Sequence, residues 1–418
     1  MSASRKGLRA LRVALIHNLK PPVKEPDLPP DYYSECDSPK TIAAIVAALR
    51  TGGHTVIPVE ADRHLPAWLS RNPVDCAFNI AEGFEGESRE ARVPALLELM
   101  EIPCTGSGVL TLALALDKAK SKQIFRHAGV PTPNFQLFQH PDEVLDPKLK
   151  FPLLVKPNRE GSAKGISSAS VVHHEEALRI QVRQTFERYR QEVLVEEYIE
   201  GTELTVGILG EHHLLPVLEI DFQECGPSGE FFYSWRMKEF QGDKSLHLNP
   251  RFWCPARLSP EVTQAVQGVA WKAARVLGTR DMVRVDIRLS SDGIPYVLEV
   301  NPLPGLDPDE SNLPIMIRAA GISYEAFINQ LVDLAVRRSS KRPKIKQAAA
   351  ASLQAATSYL PLSNPNAPGP SVPERGALPG STGPGIGPPG IPAVVVRNPA
   401  RPRGRIRNSD PKEDKLGR

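Results

Sequence analysis

The chain has 418 residues, of which 41% are hydrophobic and 24% charged, and its formal net charge at pH 7 is +3. This composition is typical of a globular protein with two or three domains, and the charge is too small to indicate nucleic-acid binding by itself. Five cysteines without a CxxC pair, no apolar run of membrane-spanning length and a start without a signal-peptide core predict a cytoplasmic protein with reduced thiols.

The first part of the chain alternates between strand and helix patterns. Strands are predicted in LRVALIHN, in HTVIPV, in VDCAFNI and in IPCTG, and helices in SPKTIAAIVAALRTGG and REARVPALLELM. The first helix has Ser38 as its N-cap, a proline at its first position and a stop at Gly52. This alternation predicts an N-terminal parallel α/β domain over residues 8–106.

The pattern changes near residue 107. One helix is predicted in LALALDKAKSKQIFRHAG, a buried strand in FPLLVKP, a small-residue loop in NREGSAKGISS and a helix within VVHHEEALRIQVRQTFERYR. These elements predict a small central α+β domain over 107–190. The stretch EVLVEEYIEGTELTVGILGEHHLLPVLEI alternates like antiparallel strands and opens a third domain, 191–338, whose last helix is SYEAFINQLVDLAVRR.

Residues 339–418 are rich in proline and glycine and nearly free of aromatic residues, which predicts a disordered tail. The end of the tail is basic. The alternative to a solvated tail is therefore an electrostatic tether to an anionic partner.

A hairpin is predicted in DMVRVDIRLSSDGIPYVLEVN, with Asp292-Gly293 as a two-residue turn. This turn sets the expected partners, which are Val285 with Val300, Ile287 with Leu298, Leu289 with Tyr296, Asp286 with Glu299, and Arg284 with Asn301. The first three pairs form one apolar face, and the last two share the other face because side chains alternate along a strand.

Two carboxylates placed directly opposite each other repel unless a cation lies between them. Asp286, Glu299 and Asn301 offer three oxygen ligands, which suits Mg²⁺ because that ion takes one or two carboxylates and shares the rest of its sphere with water and phosphate. The alternative is a solvated strand face with an Arg284–Asp286 pair.

Two further segments fit a nucleotide. In REGSAKGISS, Gly161, Ser162 and Gly165 allow backbone N–H groups to point at phosphate oxygens, and Lys156 ends the preceding strand. The alternative for this loop is an ordinary turn. In EVLVEEYIEGTE, carboxylates flank the apolar pair Tyr198-Ile199, which suits an adenosine; the alternative is a solvated edge.

The combination of LDKAKSK, LLVKPNREGSAKGIS, LVEEYIEGTELTV, RVDIR and LEVNPLPG resembles the ATP-grasp superfamily, and within it the D-alanine–D-alanine ligases. The resemblance runs from about residue 8 to residue 338. It implies a three-domain ATP-grasp architecture of mixed α/β class and an enzyme that uses ATP and two Mg²⁺ (or Mn²⁺) ions to join an amine to a carboxylate through an acyl phosphate. It also allows a homodimer, although no feature of the sequence indicates one.

The resemblance implies a role for each matching residue. Phosphates would be bound by Lys118, Lys156 and the loop glycines Gly161 and Gly165, adenine by Glu196 and the Tyr198-Ile199 backbone, and ribose by Glu203. Asp286, Glu299 and Asn301 would hold the metal ions. Arg284, Ser162 and Lys238 would act at the reacting centre, and Ser311 would contact substrate.

The substrate half departs from the family pattern. The family's N-terminal glutamate has no secure match, and Glu25 and Glu35 are the two candidates for it. Its histidine–glycine pair is Glu82-Gly83 here, with Glu87 keeping an acidic position, and its alanine–lysine–tyrosine triplet ends as Lys238-Glu239. Glu82, Glu87 and Glu239 are therefore the substrate candidates, and a cationic amine would suit them.

The leading hypothesis is ligation of D-alanine with D-alanine, feeding peptidoglycan synthesis. Its close rival is a ligase for other amino acids or amines. A non-catalytic ATP-binding regulator would be expected to have lost a metal ligand, whereas all three are present. Nucleic-acid binding through the tail depends on charge alone, and neither nucleic acid nor a membrane is an expected partner.

Overall fold

The computed structural model describes residues 10–340, except 23, 24, 26 and 241–243. In that part of the chain the strands form three separate sheets. The predicted disordered tail lies outside the described residues apart from its first two positions. None of the helices in the described ranges is long and apolar enough to cross a membrane.

The N-terminal part contains a three-stranded parallel sheet in the order β2-β1-β3, as the alternating pattern predicted. Its elements in chain order are β1 (Arg12–His17), α1 (Pro39–Thr51), β2 (Thr55–Glu60), α2 (Leu65–Arg71), β3 (Cys76–Asn79) and α3 (Arg92–Leu99). Helix α1 starts as expected, because the Ser38 side chain accepts a hydrogen bond from Thr41 N. The strand predicted in IPCTG is wrong, since Cys104 forms only an isolated bridge with Ala77.

The middle part contains a four-stranded sheet in the order β4-β7-β5-β6, with antiparallel pairs. Its elements are α4 (Val109–Leu116), α5 (Lys118–His127), β4 (Phe135–Phe138), β5 (Leu153–Pro157), β6 (Val171–Val172), α6 (Glu175–Tyr189) and β7 (Val193–Glu197). The expected boundary between 190 and 191 precedes β7, which pairs within this sheet. The domain boundaries themselves stay a prediction.

The prediction of one continuous helix in LALALDKAKSKQIFRHAG is wrong. The chain breaks at Asp117, whose backbone is extended (φ −83°, ψ 99°) and whose side chain accepts a hydrogen bond from Lys120 N. An aspartate is a strong N-cap, so it starts a second helix instead of continuing the first. The break places Lys118 at the first position of α5.

The C-terminal part is built on a sheet in the order β11-β10-β8-β12-β13, with β9 paired to β8. Its elements are β8 (Gly201–Leu209), β9 (His213–Leu214), β10 (Leu218–Asp221), α7 (Trp235–Glu239), β11 (Arg251–Trp253), α8 (Pro260–Val276), β12 (Met282–Ser290), β13 (Pro295–Asn301), α9 (Asn312–Ala319) and α10 (Tyr324–Ser340). Helix α8 packs its apolar side against one face of this sheet, which leaves the other face for polar side chains.

The β12–β13 hairpin keeps the predicted register at its open end. Three predicted pairs are present, namely Arg284 with Asn301, Val285 with Val300, and Asp286 with Glu299. The two carboxylates and the asparagine therefore share one face of the sheet, as the alternation predicted.

The other two predicted pairs lie between the turn and a β-bulge, and both are wrong by one residue. Ile287 pairs with Val297 instead of Leu298, and Leu289 pairs with Pro295 instead of Tyr296. The turn is also one residue longer than predicted, since Ser290 N donates to Ile294 O and Gly293 supplies the left-handed conformation of a three-residue loop (φ 81°). The extra residue in the bulge offsets the longer turn and restores the register at Glu299.

Candidate active site

Asp286 is held by side chains from three positions on the polar face of the sheet. Arg284 donates to it from Nε (3.0 Å) and Nη2 (2.8 Å), Thr205 Oγ1 lies 2.6 Å away, and Asn301 Nδ2 donates at 2.9 Å. The carboxylate is thus fixed in orientation before any ligand binds.

Glu299 lies where four cationic side chains converge. Lys118 Nζ is 3.2 Å from Glu299 Oε2. Burial alone would raise the pKa of Glu299, but Lys118, Lys156, Arg284 and Lys238 together hold that pKa well below its ordinary value. The group is therefore an anion, surrounded by more positive charge than it can neutralise, as expected where phosphates bind.

The donor set of Asp286, Glu299 and Asn301 fits a hard cation such as Mg²⁺, because all the ligand atoms would be oxygens. Among the described residues, no group of three or more histidines, cysteines or acidic residues could enclose a metal ion without outside ligands. Two carboxylates and an amide on a sheet suit an ion that completes its coordination with water and phosphate oxygens.

A buried ion triplet lies at one end of the nucleotide-sized cavity beside these residues. Glu196 accepts from Lys156 Nζ at 2.5 Å and pairs with Lys122 Nζ at 2.7 Å, and it is 1% exposed. Burial would raise its pKa, but the two lysines outweigh that effect and lower it. Lys122 also donates to Thr132. The sequence patterns did not indicate a role for Lys122, although it lies one helical turn after Lys118 in the motif LDKAKSK.

The same cavity has apolar walls and a polar rim. Tyr198 and Ile199 line the cavity. Glu203 and Arg288 line it as well, and Glu203 Oε2 lies 3.5 Å from Arg288 Nε. Arg288 Nη2 also donates to the Tyr198 hydroxyl at 2.9 Å. Leu298, the residue that the bulge adds, lines this cavity together with Glu299, whereas the sequence placed it in the core. An apolar slot with carboxylates at its edge suits a purine nucleoside.

The glycine-rich loop lies between the nucleotide cavity and a second, more polar cavity. Gly165 and Ser162 both have left-handed backbone conformations, with φ of 76° and 50°. Gly161 N donates to Glu35 Oε1 at 2.5 Å and Gly165 N to Asp31 Oδ2 at 2.7 Å. The N-terminal segment therefore braces this loop through two carboxylates, which no short-range pattern could have revealed.

The second cavity adjoins the reacting face of the hairpin. Its lining includes Ser162, Lys238, Arg284, Glu299 and Asn301, together with Glu82 and Glu90. Lys118, Lys238, Arg284 and Glu299 line both cavities. The two cavities thus meet at a cluster of charged side chains.

The substrate candidates fall in different places. Glu82 lines the second cavity, whereas Glu87 is exposed and the buried Glu90 lines the cavity instead. Glu239 pairs with Lys20 at 2.8 Å and does not line either of these two cavities.

Ser311 also lies outside the two lining sets. Its Oγ accepts a hydrogen bond from Asp307 N at 3.0 Å, behind Gly305. Gly305 itself lines the second cavity, so Ser311 is one residue layer away from it. The roles of these residues, like those of the other site candidates, stay predictions.

Known proteins resemble this chain over most of the described region. A family model described as D-ala D-ala ligase C-terminus matches residues 124–333. An uncharacterized protein, y4sG, of Sinorhizobium fredii (strain NBRC 101917 / NGR234) is 36% identical over 305 residues, which cover 71% of this chain and 87% of that protein. A protein named D-alanine–D-alanine ligase from Gloeobacter violaceus is 36% identical over 296 residues, which cover 69% of this chain and 91% of that protein.

A solved structure also matches the fold. The crystal structure of D-alanine–D-alanine ligase from Bacillus anthracis complexed with ATP superposes with a TM-score of 0.62 at 26% identity, covering 80% of this chain and 100% of that chain. The predicted architecture and the predicted resemblance are both confirmed. The chain belongs to the D-alanine–D-alanine ligase family, whose members are ATP-dependent ligases of the ATP-grasp fold that form carbon–nitrogen bonds.

Proposed function

We propose that the protein joins D-alanine to D-alanine in a reaction that consumes ATP and requires two Mg²⁺ (or Mn²⁺) ions. The observation that carries this proposal is the ring of cations around Glu299, at the junction of a nucleotide-sized cavity and a smaller polar cavity. The family membership and the names of the relatives support the choice of substrate.

The first step joins the substrate carboxylate to phosphate. A carboxylate oxygen of the first D-alanine attacks the γ-phosphorus of ATP, the bond to the β-phosphate oxygen breaks, and ADP leaves. Lys118, Lys156 and Arg284 neutralise the negative charge on the transferring group, and positioning by the fold supplies much of the rest. Lys238 lines both cavities and would stabilise the negative charge of the phosphoryl group both before and after its transfer.

In the second step the amine of the second D-alanine attacks the acyl carbon, phosphate leaves, and the nitrogen loses a proton. The glycine-rich loop that carries Ser162 would cover the acyl phosphate and keep water away from it. Asp31 and Glu35 accept hydrogen bonds from the backbone of that loop and would hold it in place. No covalent bond to the protein is needed.

The metal ions would be held by Asp286, Glu299 and Asn301, and bound there they would supply positive charge to the phosphates of ATP. The remaining oxygen ligands would come from water and phosphate.

The rival function, ligation of a different amino acid or amine, is favoured by one observation. Two carboxylates, Glu82 and Glu90, line the second cavity, which we call the substrate cavity. The family pattern has a histidine in place of Glu82. A regulator without activity is disfavoured, since all three expected metal ligands lie together on the sheet face.

The experiment is phosphate release from ATP and Mg²⁺ by the purified full chain across D- and L-amino acids, with the dipeptide identified by mass spectrometry. Release with D-alanine and formation of D-alanyl-D-alanine are expected. Release only with another amino acid would replace the substrate and retain the reaction. ATP binding without release for any amino acid would overturn the proposal in favour of a regulator.

A further inference from the structure

Glu35, one of two sequence candidates for the family's N-terminal glutamate, is fully engaged elsewhere. Its Oε1 accepts from Arg89 Nη2 at 2.7 Å and from Gly161 N at 2.5 Å, and its Oε2 pairs with Lys164 Nζ at 3.3 Å. It does not belong to the lining of the substrate cavity. A substrate ammonium must therefore find another carboxylate.

Glu82 and Glu90 are in the opposite situation. Both line the cavity, and within the described part of the chain neither accepts a hydrogen bond or forms an ion pair. Glu90 is only 8% exposed and lies in the field of Arg89 and Lys118, but neither of them is within ion-pair distance of its carboxylate. A buried carboxylate without a direct partner is costly. Burial raises the pKa of Glu90 to about 7, and burial together with the charges of Glu35 and Glu90 raises that of Glu82.

The side of the cavity toward the reacting centre has the complementary charge. Lys238 lies in the field of Glu299 but donates a hydrogen bond to no carboxylate among the described residues, and its Nζ is 5.1 Å from the centre of the Tyr233 ring. Burial and the neighbouring Arg284 lower the pKa of Lys238. Among the described residues, the groups of this cavity without a hydrogen-bond or ion-pair partner therefore include two carboxylates and one ammonium.

An ordinary amino acid, with one carboxylate and one ammonium, would leave one of the two glutamates without a partner. A short amino acid with a second amine would supply a partner for all three protein groups. We propose that Glu82 and Glu90 recognise two ammonium groups on the substrate, and that the cavity prefers a diamino acid to a neutral amino acid of the same size. The inference rests on the proposed ligase function and specifies the substrate class of that same site.

The test compares two amino acids of the same size. D-2,3-diaminopropionate carries an ammonium where D-2-aminobutyrate carries a methyl group, so their difference isolates the second charge. We expect phosphate release by the unaltered protein to have a kcat/KM at least tenfold higher with the diamino acid. Glu90→Gln should reduce this ratio to near one, and Glu82→Gln should raise the KM for both amino acids.

Glu85→Gln is the matched control, because Glu85 lies exposed three residues after Glu82, is not part of the cavity lining, and accepts a long hydrogen bond (3.5 Å) from the Tyr32 hydroxyl. It should keep the ratio of the unaltered protein. The KM for ATP, measured for each variant, shows whether the nucleotide half remains folded. Equal or better turnover of aminobutyrate would overturn the preference and leave the ligase standing, whereas no turnover with D-alanine or either analogue would overturn both.

Discussion

Glu299 lies at the junction of the two cavities and is the anion around which their cationic side chains gather. Its carboxylate pairs with Lys118 and lies within the field of three further cations. We expect Glu299→Gln to lower ATP-dependent phosphate release by at least about 100-fold, since a preorganised charge at a phosphoryl-transfer centre is worth roughly that factor or more. The volume of the side chain is unchanged. Circular dichroism should therefore remain close to that of the unaltered protein, whereas the melting temperature should fall, because the surrounding cations lose the anion that they stabilise.

Asp292→Asn provides the control, because Asp292 lies exposed in the turn of the same hairpin. It removes a carboxylate at the other end of the hairpin and should keep full turnover. If Glu299→Gln turned over ATP at the unaltered rate, Glu299 would not be a metal ligand.

The sequence correctly predicted which side chains share a face of the sheet where this follows from the alternation of side chains along a strand. Arg284, Asp286, Glu299 and Asn301 share a face because a strand alternates with a period of two and a hairpin is a short-range element. Glu35 was left as an open candidate because its partner, Gly161, is 126 positions away. Contacts of that kind depend on how whole domains pack, which no local pattern encodes.

At the scale of elements, the bulge in β13 decides which side chains reach the nucleotide. Val297 is fully buried in the core beneath the sheet, and the next residue, Leu298, lines the nucleotide cavity. With the predicted two-residue turn and regular alternation, Leu298 would face the core and Val297 would face the nucleotide cavity. The turn sequence indicated a hairpin but not its loop length, because Asp-Gly also fits a three-residue loop with glycine in the left-handed position.

Alanine substitutions at these two neighbours should therefore have different consequences. Val297→Ala should lower the free energy of unfolding by about 2 kcal/mol and leave the KM for ATP unchanged, because it removes methyl groups from the core. Leu298→Ala should raise the KM for ATP by about tenfold with little loss of stability, because it removes roughly 1–1.5 kcal/mol of apolar contact with the nucleotide. Urea denaturation and steady-state kinetics measure the two quantities, and the reverse assignment of effects would exclude the bulge.

Helix boundaries were predicted where a capping residue was recognised and missed where it was not. Ser38 was identified as an N-cap, and α1 begins directly after it. Asp117 caps α5 in the same way, but it lies within an apolar and basic run that reads as one helix. The difference matters for the site, since the break sets the direction in which Lys118 leaves the helix.

At the scale of the whole molecule, the substrate cavity is assembled from parts that are distant in sequence. Its lining runs from Glu82 in the N-terminal part, through Lys118 and the glycine-rich loop, to Asn301 at the end of the hairpin. The nucleotide half could be predicted because its residues lie in short motifs. The lining of the second cavity could not, because it forms where separate loops meet.

One ion pair links the N-terminal part of the chain to α7. Lys20, in the loop after β1, pairs with Glu239 at the end of α7, and the preceding residue, Lys238, lines both cavities. The side chains of the pair are 33% and 20% exposed, so their attraction is only partly screened by water. We infer that this pair holds α7 over the reacting centre.

Charge reversal tests this role through a double-mutant cycle. Lys20→Glu and Glu239→Lys should each lower kcat/KM by about fivefold, since opposing like charges at a half-buried site costs on the order of 1 kcal/mol. The double variant restores the attraction with its direction exchanged, and it should recover most of the loss. Arg183→Glu, which disrupts the exposed pair with Asp142 on the middle domain, should leave kcat/KM unchanged. A double variant no better than the weaker single one would mean that α7 is held by its other contacts, and that the substrate cavity closes without this pair.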